Sequence, residues 1–255
     1  MNITILILVA SFFLIALVYS SVGFGGGSSY LAILGQSFFM LSPPEVKTTA
    51  LFCNIIVVIS GTIIFYREGK VSVREFWPYL VASVPLAYVG GYWRLDDKTF
   101  YILLGVTLVI AAILLWLQPE KMDARDSTMR ETARAKFFIG GSIGFLSGLV
   151  SIGGGIFLSP ILHFLKWSEA KRISALASIF ILVNSIGGLA GQFQRGIPPI
   201  ELSFLIPVLL AVFAGGQIGS RLGARTFNPL YIKRITAVVI LVAGANILFD
   251  HLIRR

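Results

Sequence analysis

Long apolar runs recur along the chain, at 3–22, 46–66, 73–93, 99–118, 137–152, 173–194, 202–220 and 231–250. The hydrocarbon core of a bilayer needs about 20 apolar residues per α-helix, so these runs predict membrane helices. Two shorter runs, 28–41 and 156–165, follow glycine clusters and are short for a full span. The first run has no Lys or Arg before it and no clear small-residue cleavage site. It therefore reads as the first membrane helix and not as a cleaved leader. Polar residues concentrate elsewhere. From Gln118 to Lys136 the chain carries five basic and four acidic residues and little apolar surface. This predicts a solvated linker, 119–136, between a first membrane repeat, 1–118, and a second, 137–255.

The halves share an order of features. Gly25-Gly26-Gly27 is matched by Gly153-Gly154-Gly155, 128 residues later. Thr49-Ala50-Leu51 matches Ser174-Ala175-Leu176, and Tyr66-Arg67-Glu68-Gly69 matches Phe193-Gln194-Arg195-Gly196. Gly90-Gly91 matches Gly215-Gly216, and Arg94 matches Arg221 across a small gap. Together they predict a duplication. With five segments per half, each half starts and ends on opposite sides, so the second is inverted. The expected fold is all-α: a polytopic helical membrane protein of eight to ten segments in two inverted repeats, with GGG-broken helices.

Composition fixes the class. Hydrophobic residues make up 56% and charged residues 13%, against about 25% charged in a soluble globule. High apolar content, unperiodic glycine and a lone Cys53 exclude disordered, collagen-like and disulfide-scaffold chains. The net charge of +9 would suggest nucleic acid in a soluble protein. Here its distribution reads as topology. In the inverted arrangement one side receives Arg67, Lys70, Arg74, the five linker bases, Lys166, Lys171, Arg172, Arg221, Arg225, Lys233 and Arg234. That is 15 of the 21 Lys and Arg. The other side receives Lys47, Arg94, Lys98, Arg195, Arg254 and Arg255. If the short segments did not change sides, the split would be 11 to 10. The positive-inside rule favours the first arrangement. It places both termini outside the cytoplasm and the linker inside it, in a multi-pass protein of the plasma (inner) membrane. A hairpin that dips to the midplane has the same parity as two full spans, so the count leaves the short segments open between the two.

The residues able to carry chemistry are few. Gly25, Gly26, Gly27 and Gly153, Gly154, Gly155 let backbone N–H groups approach a ligand. A helix opening just after such a bend, at Ser28-Ser29 or near Ile156, points free N–H groups and its positive end at the bend. That is an anion site made of backbone, and paired broken helices mark midplane sites in many secondary transporters. Close helix packing is the competing use of such glycines. Thr49, Cys53 and Ser60 share one helix face, and Ser174, Ser178 and Ser185 stand at the matched positions. This stripe predicts either hydroxyls flanking an anion or a small-residue helix interface. The candidate substrate-binding set is Gly25, Gly26, Gly27, Ser28, Ser29, Thr49, Ser60, Ser151, Gly153, Gly154, Gly155, Ser174, Ser178 and Ser185.

Asn54 and Asn184 also lie in apolar runs. Interhelical bonding is the leading role for both, with substrate contact the lesser one. Gly140, Gly144, Gly148 and Gly215, Gly219, Gly223 have small-xxx-small spacing, which serves packing inside the bundle or a homodimer. All 12 Asp and Glu fall at helix ends or in loops. The usual buried carboxylate of a proton relay or sodium site is therefore missing. His163 is the titratable group at depth, and a structural role is expected of it. Arg67 and Arg195 read as interface anchors before gates. Gly140-Gly141-Ser142-Ile143-Gly144 fits G-x-S-x-G without a strand–turn–helix or a histidine base. Gly23-Phe24-Gly25 lacks a preceding strand and has Ser28 where a dinucleotide fingerprint has glycine. No metal, Walker A or HExxH pattern is present. The reading is a non-enzyme without a cofactor, with lipid and a small anion as partners and no nucleic acid.

With these residues in hand, the chain resembles the sulfite exporter TauE/SafE family of membrane transporters. The carriers are Gly23-Phe24-Gly25-Gly26-Gly27, Ser151-Ile152-Gly153-Gly154-Gly155, Lys171-Arg172-Ile173-Ser174-Ala175-Leu176 and the glycine-rich helix ending at Arg221. The likeness covers about residues 5–250. It implies export of small sulfur-containing anions such as sulfite or organosulfonates. Phe24 departs from the small aliphatic usual at that place, which alters pocket shape and not the backbone device. The expected function is alternating-access export of such an anion. A passive anion channel is the first alternative, and a membrane enzyme or binding protein the second.

Overall fold

The structure is a computed structural model of the chain, and it describes residues 3–36, 39–118, 132–222 and 229–252. Among these residues there are ten α-helices and no strand. In order they are α1 (Ile3–Ser21), α2 (Gly27–Leu34), α3 (Pro43–Arg67), α4 (Val73–Tyr92) and α5 (Asp97–Leu117). Then follow α6 (Ala133–Val150), α7 (Gly155–Phe164), α8 (Ala170–Phe193), α9 (Leu202–Leu222) and α10 (Pro229–Leu252). Most of the expected linker, and Arg225, Arg254 and Arg255, lie outside the described residues.

Local chemistry sets several helix starts. Ser42 donates its backbone N–H to Glu45 Oε2 at 2.8 Å, closing the first turn of α3 over Pro43. Asp96 caps α5 by accepting the Thr99 N–H at 2.9 Å. Among the described residues five helices are long and apolar enough to cross a membrane: α3, α5, α8, α9 and α10 from Lys233 onward. α6 spends its first turns on Arg134 and Lys136, and α4 carries Arg74, Glu75, Pro78 and Pro85. The outer faces are apolar: Ile206, Leu210 and Phe213 on α9 and Val239 and Val242 on α10 are exposed. Such a surface belongs in lipid, and the chain is an integral membrane protein.

The helices pack in corresponding pairs. α1 lies on α9 as α6 lies on α4, α2 on α3 as α7 on α8, and α2 meets α10 as α7 meets α5. α3 packs on α8 and α5 on α10. Glycine brings these helices close. A Cβ at Gly140, Gly144 or Gly148 would strike the backbone of Tyr79, Ser83 or Ala87, and one at Gly215 or Gly219 that of Phe13 or Leu17. Both series therefore pack within the bundle; Gly223 lies outside the described residues.

Named contacts also order the ends of the bundle. Lys70 Nζ donates to Glu169 Oε1 at 2.7 Å, and Arg172 donates to Glu75 Oε2 at 2.8 Å. These join the end of α3 and the start of α4 to the start of α8. At the opposite end Lys47, Arg94 and Arg195 surround one cavity. The hydrogen bond from Lys70 holds the Glu169 carboxyl below its ordinary 4.5. A depressed carboxyl stabilises the fold above the unfolded value and loses that effect as pH falls through the folded one. Both side chains are about a third exposed, so the pair contributes about 1 kcal/mol at most. Glu169→Gln is expected to lower the melting temperature slightly at pH 7 and not at pH 3; a large drop at both would contradict this.

α2 and α7 do not cross the bundle alone. Eight and ten residues reach about 12 and 15 Å against a core of about 30 Å. α2 doubles back beside α1: the Tyr19 and Ser29 hydroxyls are 2.6 Å apart, and the Phe12 ring stacks on Tyr30 at 4.6 Å. It starts beside Asn54, midway along α3, and ends where a Cβ at Gly35 would meet Leu104 and Ile247. That is the Lys47 end. α7 starts beside Ile181, midway along α8, and leads to Trp167, whose ring lies against Phe76 and Tyr79 at the Glu169 end. The two short helices thus begin at one level and leave in opposite directions.

Candidate functional site

Each short helix opens on a glycine in the left-handed region. Gly26 caps α2 with φ +82°, and Gly154 caps α7 with φ +79°. A β-carbon is disfavoured in that region. The first bonded amides, Ser29 and Tyr30, return to the Gly26 carbonyl, and Phe157 and Leu158 return to that of Gly154. The N–H groups of Gly27, Ser28, Gly155 and Ile156 precede the helical ladder and have no partner within it. Two positive helix ends therefore face the middle of the bundle.

The glycines on either side of these caps converge on one side chain. A Cβ at Gly25 would lie 2.5 Å from Asn54 Oδ1. One at Gly27 would lie 2.7 Å from that oxygen and 2.8 Å from the Ile152 carbonyl, and one at Gly153 would lie 2.8 Å from Asn54 Nδ2. Asn54 is fully buried. Its Nδ2 donates to the Ile152 carbonyl at 3.4 Å, and its Oδ1 has no partner among the described residues. The amide thus joins the α1–α2 connection to the α6–α7 connection through the glycine gaps. A narrow cavity of about 20 Å³ runs beside it, lined by Tyr19, Gly25–Gly27, Ile181, Lys233 and Thr236. A single water needs roughly 10–15 Å³ of such space. Lys233, half-buried, is the cation of this lining.

The other expected residues divide into groups. Ser28 lines the cavity, and Ser29 bonds Tyr19. Thr49 Oγ1 and Ser185 Oγ are buried without a partner among the described residues, and Ser185 lies 3.4 Å from the Cβ position of Gly153. Ser151 accepts from Gln192 Nε2 at 2.9 Å, while Thr48 donates to Gln192 Oε1 at 2.9 Å. Ser60 accepts from Gln217 Nε2 at 2.6 Å, linking α3 to α9. Ser178 lies 3.0 Å from the Thr62 hydroxyl and donates to the Val58 carbonyl at 3.3 Å, linking α8 to α3. Ser174 lies against Gly23. Ser60 and Ser178 are thus occupied between helices. The Cβ directions of Gly26 and Gly154 point at Ile15 and Tyr30 and at Phe180, and that of Gly155 at Ile181. Gly25, Gly27 and Gly153 hold the space around Asn54.

His163 Nδ1 donates to the Ser159 carbonyl one turn back, at 2.7 Å, a bond local to α7. Asn54 makes the interhelical bond expected of it, and Tyr19, Lys233 and Thr236 join the cavity lining without having been candidates by sequence. Lys233, a base just inside an apolar run, was the visible signal. If the Asn54 amide spans the two connections, Asn54→Leu should disable the site more than Asn184→Leu. The check is anion flux measured beside the melting temperature of each variant, and equal flux in both would contradict it.

The profile of the family described as "Sulfite exporter TauE/SafE" matches residues 8–247. The chain is 34% identical to a probable membrane transporter protein, y4hK, of Sinorhizobium fredii, over 95% of this chain and 97% of that protein. It is 26% identical to the probable membrane transporter protein MJ0441 of Methanocaldococcus jannaschii, over 91% of each. It is 21% identical to the probable membrane transporter protein YunE of Bacillus subtilis, over 91% of this chain and 92% of that one. No solved structure matches.

Proposed function

Since the chain belongs to the sulfite exporter TauE/SafE family of membrane transporters, we propose that it exports sulfite or organosulfonates by alternating access across the plasma (inner) membrane. One observation carries the reading: the glycines before both half-length helices converge on the buried Asn54 amide. The amides of Gly27, Ser28, Gly155 and Ile156, which stand before the helical ladders, offer donors to sulfonyl oxygens without any side-chain charge. Ser28, Thr49 and Ser185 supply hydroxyls around them, and Lys233 supplies the cation at one mouth. The corresponding packing of α1–α5 and α6–α10 supports two inverted repeats that rock about this centre. The 20 Å³ cavity is too small for a sulfonate, so the anion enters when one side opens.

The driving force needs no second ion. An inside-negative potential of 100 mV favours expelling one negative charge by about 2.3 kcal/mol. That suits a bundle whose described carboxylates all stand at helix ends or in loops. Proteoliposomes loaded with methanesulfonate are expected to show saturable flux that opposing substrate stimulates. Lys233→Met should cut flux at low substrate severalfold and much less at saturation. Flux linear in concentration, without countertransport, would replace the transporter with a passive channel.

A further inference from the structure

A second cavity, of about 280 Å³, opens at the end of the bundle where α3 begins and α4 and α8 finish. Lys47, Arg94 and Arg195 line it against one carboxylate, Asp97. Lys47 is only 7% exposed and forms no ion pair among the described residues. Its partial compensation is the Phe100 ring, 5.7 Å from Nζ. Arg195 adds a like charge from the rim, with its guanidinium 4.3 Å from the centre of the Tyr92 ring. Burying an ammonium beside a guanidinium is unfavourable unless an anion offsets both. Among the described residues no carboxylate pairs with Lys47. Asp97 stands in the first turn of α5, whose own positive end it serves.

The floor of this cavity is tied to the glycine centre. Gln192 lines it and bonds both Thr48 on α3 and Ser151, two residues before Gly153. Lys47 and Asn54 lie seven residues apart on α3, about 10 Å along its axis.

We propose that this vestibule is a second anion site, which takes small sulfur oxyanions between Lys47 and Arg195 and is distinct from the site at Asn54. Lys47 is the enclosed charge, Arg195 the rim charge with planar donors, and Gln192 the neutral hydrogen-bonding floor. Its place as a waiting site on the transport route rests on the proposed function; its affinity for anions does not.

The test separates the two. Methanesulfonate is titrated calorimetrically into purified Gly27→Ala protein, in which the added methyl crowds the Asn54 amide. One-site binding is expected to persist there. Lys47→Met and Arg195→Gln, each added to that background, should weaken it about tenfold, and Lys47→Arg should restore most of it. Arg195 is exposed, so its variant reports even if the Lys47 variant fails to fold. Absence of binding in the Gly27→Ala protein, or unchanged affinity in the Arg195→Gln variant, overturns the inference. Absence of flux in wild-type proteoliposomes alongside binding that depends on Arg195 would overturn the transport reading and leave the vestibule standing.

Discussion

Gly27→Leu is expected to abolish anion flux in proteoliposomes while the purified protein keeps its helical content and a cooperative melt. The added side chain would enter the space between the Asn54 amide and the Ile152 carbonyl, where even a methyl lies within 2.8 Å of both groups. The leucine overfills a cavity of about 20 Å³, so a lower melting temperature accompanies the loss of flux while the transition stays cooperative. Gly27→Ala should abolish the flux as well, since its methyl alone crowds the Asn54 amide and the Ile152 carbonyl. Gly26→Leu makes the informative contrast. At φ +82° its side chain points at Ile15 and Tyr30, and the left-handed backbone alone costs roughly 1–2 kcal/mol. That variant should lose stability as well as flux. Full flux in Gly27→Leu would remove the backbone centre from the mechanism.

The second large effect is on the fold. Gly148→Leu should leave little folded protein, because its Cβ would land on the carbonyl of Ala87 where α6 and α4 touch backbone to backbone. Relief requires the two helices to separate, which also disturbs Gly144 on Ser83 and Gly140 on Tyr79. A loss of about 3 kcal/mol or more is expected, at the upper end for overpacking. Ser142→Leu on the same helix is the control. Its side chain is exposed and bonds only the Phe138 carbonyl one turn back, so its melting temperature should shift little. Similar melting of the two variants would show that α6 does not rest on α4 as described.

The helices were legible because lipid imposes one rule everywhere: a spanning helix is apolar for its whole length. That rule found α3, α5, α8, α9 and α10 and left α2 and α7 undecided. Their course depends on contacts such as Phe12 with Tyr30 and Trp167 with Tyr79, which no run of hydropathy encodes. The glycine triplets stood out by composition, yet their division of labour did not. That Gly26 and Gly154 shape the backbone, Gly25 and Gly27 clear space, and Gly153 at φ +85° does both follows from φ angles and Cβ directions. The hydroxyl stripe was visible as a helical period, but period cannot tell a hydroxyl facing a site from one bonded to a neighbouring helix. Ser60 meets Gln217 and Ser178 meets Thr62, across 157 and 116 residues of chain. The bonding partner of Asn54 was out of reach for the same reason. Asn54 itself stood out as a polar residue in an apolar run, but its partner Ile152 is 98 residues away, and nothing in the chain order ties the two. The enclosed charge of Lys47 needed the packing of three helices before it could be seen.

The central claim is that one glycine-lined centre at Asn54 is visited by the anion from both sides of the membrane. Counterflow of radiolabelled methanesulfonate, in vesicles of wild-type and Gly27→Leu protein, tests it most directly. Label should accumulate transiently against its gradient in wild-type vesicles and not in those of the variant. Equal label entry into both, without accumulation in either, would contradict it.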